Sequence, residues 1–248
     1  MERFKNLNRV EFIITYDCTG GCKHCSEGNH PYTGVHIDAK TAKKAVCDLK
    51  EHFDIKTVMT FGGEPLMYTE PVYEIHRIAK ELGIEKRQLI TNGFFSKDLT
   101  IMKNVAEKLK EVGINDLLLS ADAFHQETIP LDVVLTFTKC CLESEIPVRL
   151  NPAYLVSRDD KNEYNIKTKE IISHFTSLGI PEGDGNVVFP EGNAKIYLAE
   201  YFPEGREYIN PYEENPFDVR SISIEPDGKV YDGNIYKDDV IEILKSIK

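Results

Sequence analysis

Three segments of the sequence share one form, in which a large hydrophobic residue is followed by glycine and then isoleucine. They are Leu82-Gly83-Ile84, Val112-Gly113-Ile114 and Leu178-Gly179-Ile180. Glycine accepts the left-handed backbone conformation that ends a helix, and the hydrophobic residue after it covers the exposed end. Each segment therefore predicts the end of an amphipathic helix. The first two are separated by about the 30 residues of one strand–helix unit.

Short apolar runs alternate with these helices. The predicted strands cover residues 10–16, 55–61, 87–91, 116–120, 147–151 and 186–189, and the predicted helices cover residues 39–53, 71–82, 98–112, 130–145 and 163–178. Alternation of strand and helix favours a parallel sheet with right-handed crossovers. Six units are too few for the usual eight-stranded barrel. We therefore expect an α/β fold, a partial (β/α)6 TIM-like barrel within residues 1–193.

The alternation ends at about residue 194, and residues 194–248 are expected to form a C-terminal extension. Residues 197–217 are dense in tyrosine, proline, glutamate and glycine, which predicts irregular structure over the barrel. Residues 220–224 and 229–231 flank a Glu-Pro-Asp-Gly turn and predict a β-hairpin. Residues 238–248 predict a short terminal helix.

Length, charge and the first residues exclude several classes of protein. A chain of 248 residues can enclose one large α/β domain. Its net charge of −11, without a basic block, argues against nucleic acid as a partner, because phosphate binding needs a surface lined by lysine and arginine. Residues 1–6 carry no signal peptide, and no run approaches the ~20 apolar residues of a membrane span. We therefore expect a cytoplasmic protein without membrane contact.

Three of the six cysteines form the motif Cys18-Thr-Gly-Gly-Cys22-Lys-His-Cys25, directly after the first predicted strand. Three thiolates in one short loop indicate a soft-metal site, for which iron–sulfur and zinc are the natural occupants. Structural zinc and ordinary cubane clusters take four protein ligands, so three ligands leave one position open for a substrate or cofactor. Cys47, Cys140 and Cys141 are expected to pack as small hydrophobic residues.

Other unusual residues also follow predicted strands. Gly62-Gly63-Glu64-Pro65 follows the second strand and Asn92-Gly93 the third, while Ser120 and Asp122 end the fourth and Arg149 lies near the end of the fifth. Ligands of parallel α/β folds bind at the carboxyl ends of the strands. The sequence therefore predicts one functional site on this rim.

The cysteine motif and Gly-Gly-Glu-Pro, at these offsets, resemble the radical S-adenosylmethionine (radical SAM) superfamily over about residues 8–190. The resemblance implies that Cys18, Cys22 and Cys25 hold three irons of a [4Fe-4S] cluster and that S-adenosylmethionine chelates the fourth iron. One electron from the cluster would cleave the cofactor, and the resulting 5′-deoxyadenosyl radical would take a hydrogen atom from the substrate. A flavodoxin or ferredoxin is then the expected electron donor.

The resemblance also implies roles for individual side chains. Glu64, beside Gly62 and Gly63, would accept hydrogen bonds from the methionyl ammonium, and Arg149 would pair with the methionyl carboxylate. The remaining cofactor contacts would come from Asn92 and Ser120 on the ribose or carboxylate, and from His24 and Val188 beside the adenine. Each has a structural alternative: a helix cap for Glu64, turn formation for Asn92 and Ser120, a surface ion pair for Arg149 and a solvent-facing ring for His24.

Two residues of the loop after the fourth strand are candidate catalytic groups on the substrate side. His125 could steer a proton or a hydrogen bond, as histidine side chains commonly do near neutral pH, and Asp122 precedes it in the same loop. A purely structural histidine is an equally good interpretation.

The tail carries a second resemblance. Residues 223–233 resemble the hairpin that opens the SPASM or twitch extension, in which a cysteine normally follows the second strand. Here Asp232 and Gly233 stand at that point, and no cysteine follows Cys141. The ligand count therefore leaves one cluster, at the motif cysteines, and the resemblance implies a degenerate extension that keeps the hairpin and has lost its metal.

Three functions compete on this evidence. The first is a radical SAM enzyme acting on a peptide or a small molecule, with the tail hairpin favouring a peptide. The second is an activating enzyme for a glycyl-radical partner. The third is a non-catalytic zinc scaffold that uses the three motif cysteines with His24 or His30, although zinc would leave Gly-Gly-Glu-Pro unexplained.

Overall fold

A computed structural model describes residues 2–29, 31–203, 205, 208, 210 and 212–247 of the chain. The strands are β1 Arg9–Ile13, β2 Thr57–Phe61, β3 Lys86–Thr91, β4 Asp116–Leu119, β5 Val148–Leu150, β6 Ala153–Tyr154, β7 Asn186–Val187, β8 Ser221–Ile224, β9 Lys229–Val230 and β10 Gly233–Asn234. The α-helices are α1 Ala39–His52, α2 Thr69–Glu81, α3 Leu99–Glu111, α4 Leu131–Glu143, α5 Glu163–Thr176, α6 Gly192–Tyr197 and α7 Val240–Ser246.

The described strands form a six-stranded sheet in the order β5-β4-β3-β2-β1-β8, and every neighbouring pair is parallel. Helices α1 to α4 each connect two of its neighbouring strands. This confirms the predicted α/β architecture with a parallel, partial-barrel sheet. No described helix combines the length and apolar character that crossing a membrane requires.

The predicted helix ends are present. Gly83, Gly113 and Gly179 all have positive φ, at 67°, 92° and 82°. The backbone N–H after the first of them, on Ile84, reaches back to Ala79 O at 2.9 Å. This is the hydrogen-bonded cap that the sequence predicted.

The sixth strand of the main sheet is not the predicted one. Residues 186–187 pair instead with β6 in a separate two-stranded ladder, and Glu182 forms a bridge to Leu150. The sixth strand is β8, from the tail, which runs parallel to β1. Ile222 and Ile224 of β8 are buried, so this pairing hides both an apolar face and the open edge of β1.

The predicted hairpin of residues 220–231 is consequently wrong in its pairing. Its first strand joins the main sheet, while β9 pairs antiparallel with β10. Only the turn remains as expected, closed by Gly228 N donating to Glu225 O at 2.9 Å. The physical reason is that β1, with five residues, is a longer partner than the two-residue β9.

Two hydrophobic clusters organise the interior. The main core includes residues of all six sheet strands and also Val240, Ile241 and Leu244 of α7, so the tail packs into the same core. Cys140 and Cys141 lie in it as free thiols, which confirms their predicted packing. A smaller cluster joins residues on both sides of the expected domain boundary at 193/194: Phe124, Ala153, Leu155, Val188, Ala194 and Leu198. That boundary falls inside α6, a helix that the sequence did not indicate, and the two-part division stays a prediction.

Candidate active site

The loops that follow β1 and β2 are locked together by two glycines. Gly63 N donates to Thr15 O at 2.7 Å, and Glu64 N donates to Asp17 O at 2.8 Å. A Cβ on Gly62 would lie 2.4 Å from Thr15 O, and one on Gly63 would lie 2.1 Å from Asp17 O. The glycines are therefore required for close contact between these two loops, so that Glu64 lies beside the cysteine loop.

Glu64 is completely buried and already has three hydrogen-bond donors. Its Oε1 accepts from Thr91 Oγ1 at 2.7 Å and Leu66 N at 3.0 Å, and Oε2 accepts from Asn92 N at 2.8 Å. An ionised carboxylate has about four acceptor sites. Burial raises the pKa of Glu64 to about 7, although these donors act in the opposite direction. Glu64 also caps the short 3-10 turn Pro65–Met67, because it accepts from Leu66 N within that turn. This is the structural alternative that the sequence left open.

Asn92 connects Glu64 to the first cysteine. Its side-chain Nδ2 donates to Cys18 Sγ at 3.6 Å and to Thr19 Oγ1 at 3.3 Å. Asn92 also stabilises the turn that follows β3, because its Oδ1 accepts from Phe94 N at 2.8 Å. Glu64, Asn92 and Cys18 therefore form one hydrogen-bonded chain along the rim.

The three motif cysteines occupy different environments within one loop. Cys18 is exposed, Cys25 is half-buried and Cys22 is buried. Burial raises the pKa of the Cys18 thiol to about 11, and the negative charges of Glu64 and Cys25 raise it further. Burial, Asp122 and the two other thiolates likewise raise the pKa of Cys22. Three mutually repelling thiolates are relieved by a bound cation, so this donor set fits an iron–sulfur cluster.

Asn193 and Gly192 form a clamp on the cysteine loop that the sequence alone did not predict. Asn193 is buried at the start of α6, where its backbone N donates to Cys25 O at 2.9 Å and its Nδ2 donates to Cys22 O at 3.0 Å. Gly192 has a φ of 51°, and a Cβ there would lie 2.2 Å from Ser26 O. The available signal was the Gly-Asn pair after the last strand of the predicted barrel.

Asp17, the residue before Cys18, was also missed. Its Oδ1 accepts from Thr33 N at 2.7 Å, and its Oδ2 accepts from Gly34 N at 2.8 Å and from Tyr68 OH at 2.6 Å. Although burial alone would raise the pKa of Asp17, these donors hold it below its usual value. The side chain thus anchors the loop that follows the cysteines. An acid at the end of a strand was the available sequence signal.

His125 and Asp122 form a tight pair in the loop after β4. His125 Nδ1 lies 2.8 Å from Asp122 Oδ2, and Asp122 also accepts from three backbone N–H groups, those of Phe124, His125 and Ala153. Although burial alone would raise the pKa of Asp122, the His125 ring holds it well below its usual range. Because an ionised carboxylate only accepts, Nδ1 carries a proton in this pair.

His24 does not face solvent. Its ring centroid lies 4.8 Å from that of Phe124 and 4.8 Å from that of His125. Burial lowers the pKa of His24 to about 4, so the ring is neutral at pH 7. Phe124 belongs to the small cluster that contains Val188. His24 thus contacts Phe124, which belongs to the same small cluster as Val188.

The last two predicted residues lie in different places, Ser120 on the rim and Arg149 away from it. Ser120 lies on the rim, where its backbone N donates to Thr91 O at 2.9 Å. Arg149 does not reach the cysteine loop, because its Nε and Nη2 bind the two carboxylate oxygens of Asp116 at 2.8 and 3.2 Å. Asp116 begins β4 at the opposite end of the sheet. This is the ion-pair alternative, and a cofactor contact would require Arg149 to leave Asp116.

The chain resembles known proteins in sequence. Residues 12–196 match the Radical SAM superfamily. A probable GTP 3',8-cyclase from Saccharolobus islandicus (strain L.S.2.15 / Lassen #1) is 28% identical, with 100% of this chain and 90% of that protein aligned. A GTP 3',8-cyclase from Clostridium perfringens (strain 13 / Type A) is also 28% identical, over 98% of this chain and 64% of that protein.

The chain also resembles solved structures. Native anSMEcpe with bound AdoMet matches with a TM-score of 0.62 at 13% identity, covering 96% of this chain and 80% of that one. HydG, a maturase of the FeFe-hydrogenase, matches with a TM-score of 0.57 at 14% identity, covering 97% and 63%. These TM-scores establish a shared fold. Since the family match covers well over half of the sequence, the chain belongs to the radical SAM superfamily of enzymes, which use a [4Fe-4S] cluster and S-adenosylmethionine.

Proposed function

We propose that Cys18, Cys22 and Cys25 hold the single cluster of this enzyme, and that the enzyme takes a hydrogen atom from a bound organic substrate. The observation that carries the proposal is the chain of contacts from Glu64 through Asn92 to Cys18. It joins the two loops that carry the motif residues at the carboxyl ends of β1 and β2. When bound, the cluster supplies the electron that cleaves S-adenosylmethionine.

The side chains around the loop would bind and orient the cofactor. One acceptor site of the Glu64 carboxylate is left after its three donors, and it is available to the methionyl ammonium. Ser120 and Asn92 lie on the same rim for hydrogen bonds to the ribose or carboxylate. The neutral ring of His24, together with Phe124 and Val188 of the adjacent cluster, would supply an apolar wall for the adenine.

His125 and Asp122 are proposed as the catalytic groups on the substrate side. The Asp122 carboxylate fixes the Nδ1–H tautomer of His125, which directs Nε2 as a proton acceptor. A buried anion in contact with the ring also stabilises the imidazolium that forms when Nε2 takes a proton. The pair can therefore hold or move one proton beside the substrate.

We propose a small molecule as the substrate. The two curated relatives named above are GTP cyclases that align with nearly all of this chain, so GTP is the first candidate. A peptide, favoured by the tail hairpin in the sequence, is the second candidate. A flavodoxin or ferredoxin remains the proposed electron donor. Nothing in the comparisons supports a glycyl-radical activating enzyme or a zinc scaffold.

The test is an anaerobic assay of 5′-deoxyadenosine on reconstituted protein that holds about four irons per chain. Cys18→Ala, Cys22→Ala and Cys25→Ala should each abolish cofactor cleavage, while Cys47→Ala, a half-buried cysteine outside the motif, should retain it. If a motif variant still forms 5′-deoxyadenosine, the proposed cluster site is wrong.

The same assay tests the substrate. Addition of GTP should increase the formation of 5′-deoxyadenosine. When the GTP is deuterated on its ribose, deuterium should appear in the 5′-deoxyadenosine. Cofactor cleavage that GTP neither stimulates nor labels would reject GTP and leave the radical activity standing.

A further inference from the structure

Three potential metal ligands converge at the cysteine motif. Two of them belong to the motif, and only one of these is a cysteine. Cys22 Sγ and one ring nitrogen each of His24 and His125 all lie within 4.8 Å of one another. Thiolate and imidazole are the ligands that zinc prefers in proteins. This cluster joins two loops, because His125 comes from the segment after β4.

His125 is already oriented as a metal ligand. Its Nδ1 is held by Asp122 Oδ2 at 2.8 Å, which leaves Nε2 to face outward from the pair. Asp122 is itself fixed by the backbone N–H groups of Phe124 and Ala153 at 3.0 and 2.9 Å. Metal-binding histidines typically donate their second ring N–H to such a carboxylate, which fixes the tautomer and raises the basicity of the ligand.

His24, the second member of this cluster, carries an unsatisfied ring nitrogen. Its Nδ1 is buried and has no hydrogen-bond partner within the described part of the chain. A buried polar atom without a partner is unfavourable, and a metal ion would provide that partner. The ring has a fixed position between the Phe124 and His125 rings, with a centroid distance of 4.8 Å to each.

Charge and dimensions also fit a divalent ion. A divalent cation would take the proton's place on Cys22, and its charge would then be balanced by the Cys22 thiolate and the buried carboxylate of Asp122. With zinc–sulfur and zinc–nitrogen bonds of about 2.3 and 2.0 Å, tetrahedral ligand atoms lie about 3.3–3.6 Å apart. The three atoms now lie within 4.8 Å of one another. Side-chain movements that shift each atom by about 1 Å would bring them to the spacing of tetrahedral ligands.

We propose that the cluster-free protein binds one Zn²⁺ through Cys22, His24 and His125, with Asp122 holding His125 in place and water as the fourth ligand. Because the cluster also needs Cys22, zinc and the cluster exclude each other. Zinc bound at this site therefore delays assembly of the cluster until the ion is removed.

The test begins with an anaerobic titration of the full-length, cluster-free chain with Zn²⁺ against a chromophoric chelator. One equivalent should bind. Co²⁺ in place of Zn²⁺ should give the ligand-field bands of a tetrahedral site and the charge-transfer intensity of one thiolate. His24→Ala, His125→Ala and Cys22→Ala should each weaken zinc binding at least about tenfold, as expected for the loss of a ligand or its support.

Matched cysteine variants separate this site from the cluster site. Cys18→Ala and Cys25→Ala should bind zinc within about twofold of the wild-type affinity while failing to assemble a cluster. The proposal is overturned if Cys18→Ala weakens zinc binding as much as His125→Ala does, or if the Co²⁺ spectrum shows two or three thiolates.

A competition experiment gives a second readout that does not depend on affinity. One equivalent of Zn²⁺ should slow iron uptake into the wild-type chain during anaerobic reconstitution and should slow it much less in His125→Ala. Iron uptake by that variant also shows that its fold is intact. Equal slowing in both proteins would mean that the ion is held by the motif cysteines, and would reject the proposed site.

Discussion

The side-chain amide of Asn92 donates to Cys18 Sγ at 3.6 Å, while the backbone N–H of the same residue donates to Glu64 Oε2 at 2.8 Å. Asn92 thus joins a buried carboxylate to the exposed cysteine of the cluster loop. Hydrogen bonds to ligating sulfur atoms raise the reduction potential of an iron–sulfur cluster. The contact is therefore placed to adjust how readily the cluster accepts an electron.

Asn92→Ala should lower the reduction potential of the reconstituted cluster by about 20–60 mV, the equivalent of a hydrogen bond of about 0.5–1.5 kcal/mol. Asn92→Asp should lower it further, because it also adds a negative charge beside Glu64 and Cys18. Redox titration followed by electron paramagnetic resonance measures the change. An unchanged potential in both variants, with full iron content, would contradict a hydrogen bond to the ligating sulfur.

The buried carboxyl of Glu64 should make the cofactor-free protein less stable as the pH rises from about 4.5 to 7. Its pKa is raised from 4.5 to about 7 in the folded state, so the folded chain keeps a proton that the unfolded chain loses over this range. The free energy of unfolding should fall by about 3 kcal/mol across the window and then level off. Urea unfolding at several pH values measures this.

Glu64→Gln is the control for this pH dependence, because glutamine does not titrate. The wild type should lose unfolding free energy relative to this variant as the pH rises from 4.5 to 7. If the two proteins lose stability in parallel between pH 4.5 and 7, another group is responsible.

His125→Ala should leave uncoupled cleavage of S-adenosylmethionine intact and reduce substrate turnover about 10²- to 10⁴-fold, the usual contribution of a general acid or base. Simultaneous assay of 5′-deoxyadenosine and substrate product measures both. His174→Ala, at an exposed position on α5, is the matched control and should change neither. Loss of both activities in His125→Ala would point to a role in the fold or in cofactor binding.

Gly192→Ala should weaken the clamp on the cysteine loop and lower iron retention. The added Cβ would lie 2.2 Å from Ser26 O, in a backbone with a φ of 51°. Gly179→Ala is the control, since its φ is 82° and no atom lies within 4 Å of the added Cβ. The control should lose only the roughly 1–2 kcal/mol of left-handed strain and keep its iron. Thermal unfolding and iron analysis compare the two, and equal iron retention would argue against the clamp.

Much of the architecture could be predicted because the governing interactions are local. Asp38 caps α1, with its side chain accepting from Thr41 N at 2.8 Å, and Asp98 caps α3 in the same way. Such caps, like the glycine that ends a helix, involve residues within about five positions of each other. The same is true of the cysteine spacing, so the location of the metal-binding loop after β1 was readable from the chain.

Partner choice between distant segments could not be read in this way. Arg149 has the chemistry to bind a carboxylate anywhere, and only the packed sheet shows that Asp116 is the carboxylate it binds. Ile222 and Ile224 predict a strand, but not that the strand extends β1 in parallel. The clamp by Asn193 depends on a contact 168 residues away in sequence, with Cys25.

The sequence by itself determined the parallel α/β fold, the cysteine motif proposed to bind the cluster and the superfamily to which the enzyme belongs, because periodicity, capping and ligand spacing are set by neighbours along the chain. Only the tertiary structure decided that β8 completes the sheet, that Asn92 connects Glu64 to Cys18, and that His24 and His125 meet beside Cys22. These relationships arise from burial and hydrogen bonding among segments that approach one another only when the whole core has formed.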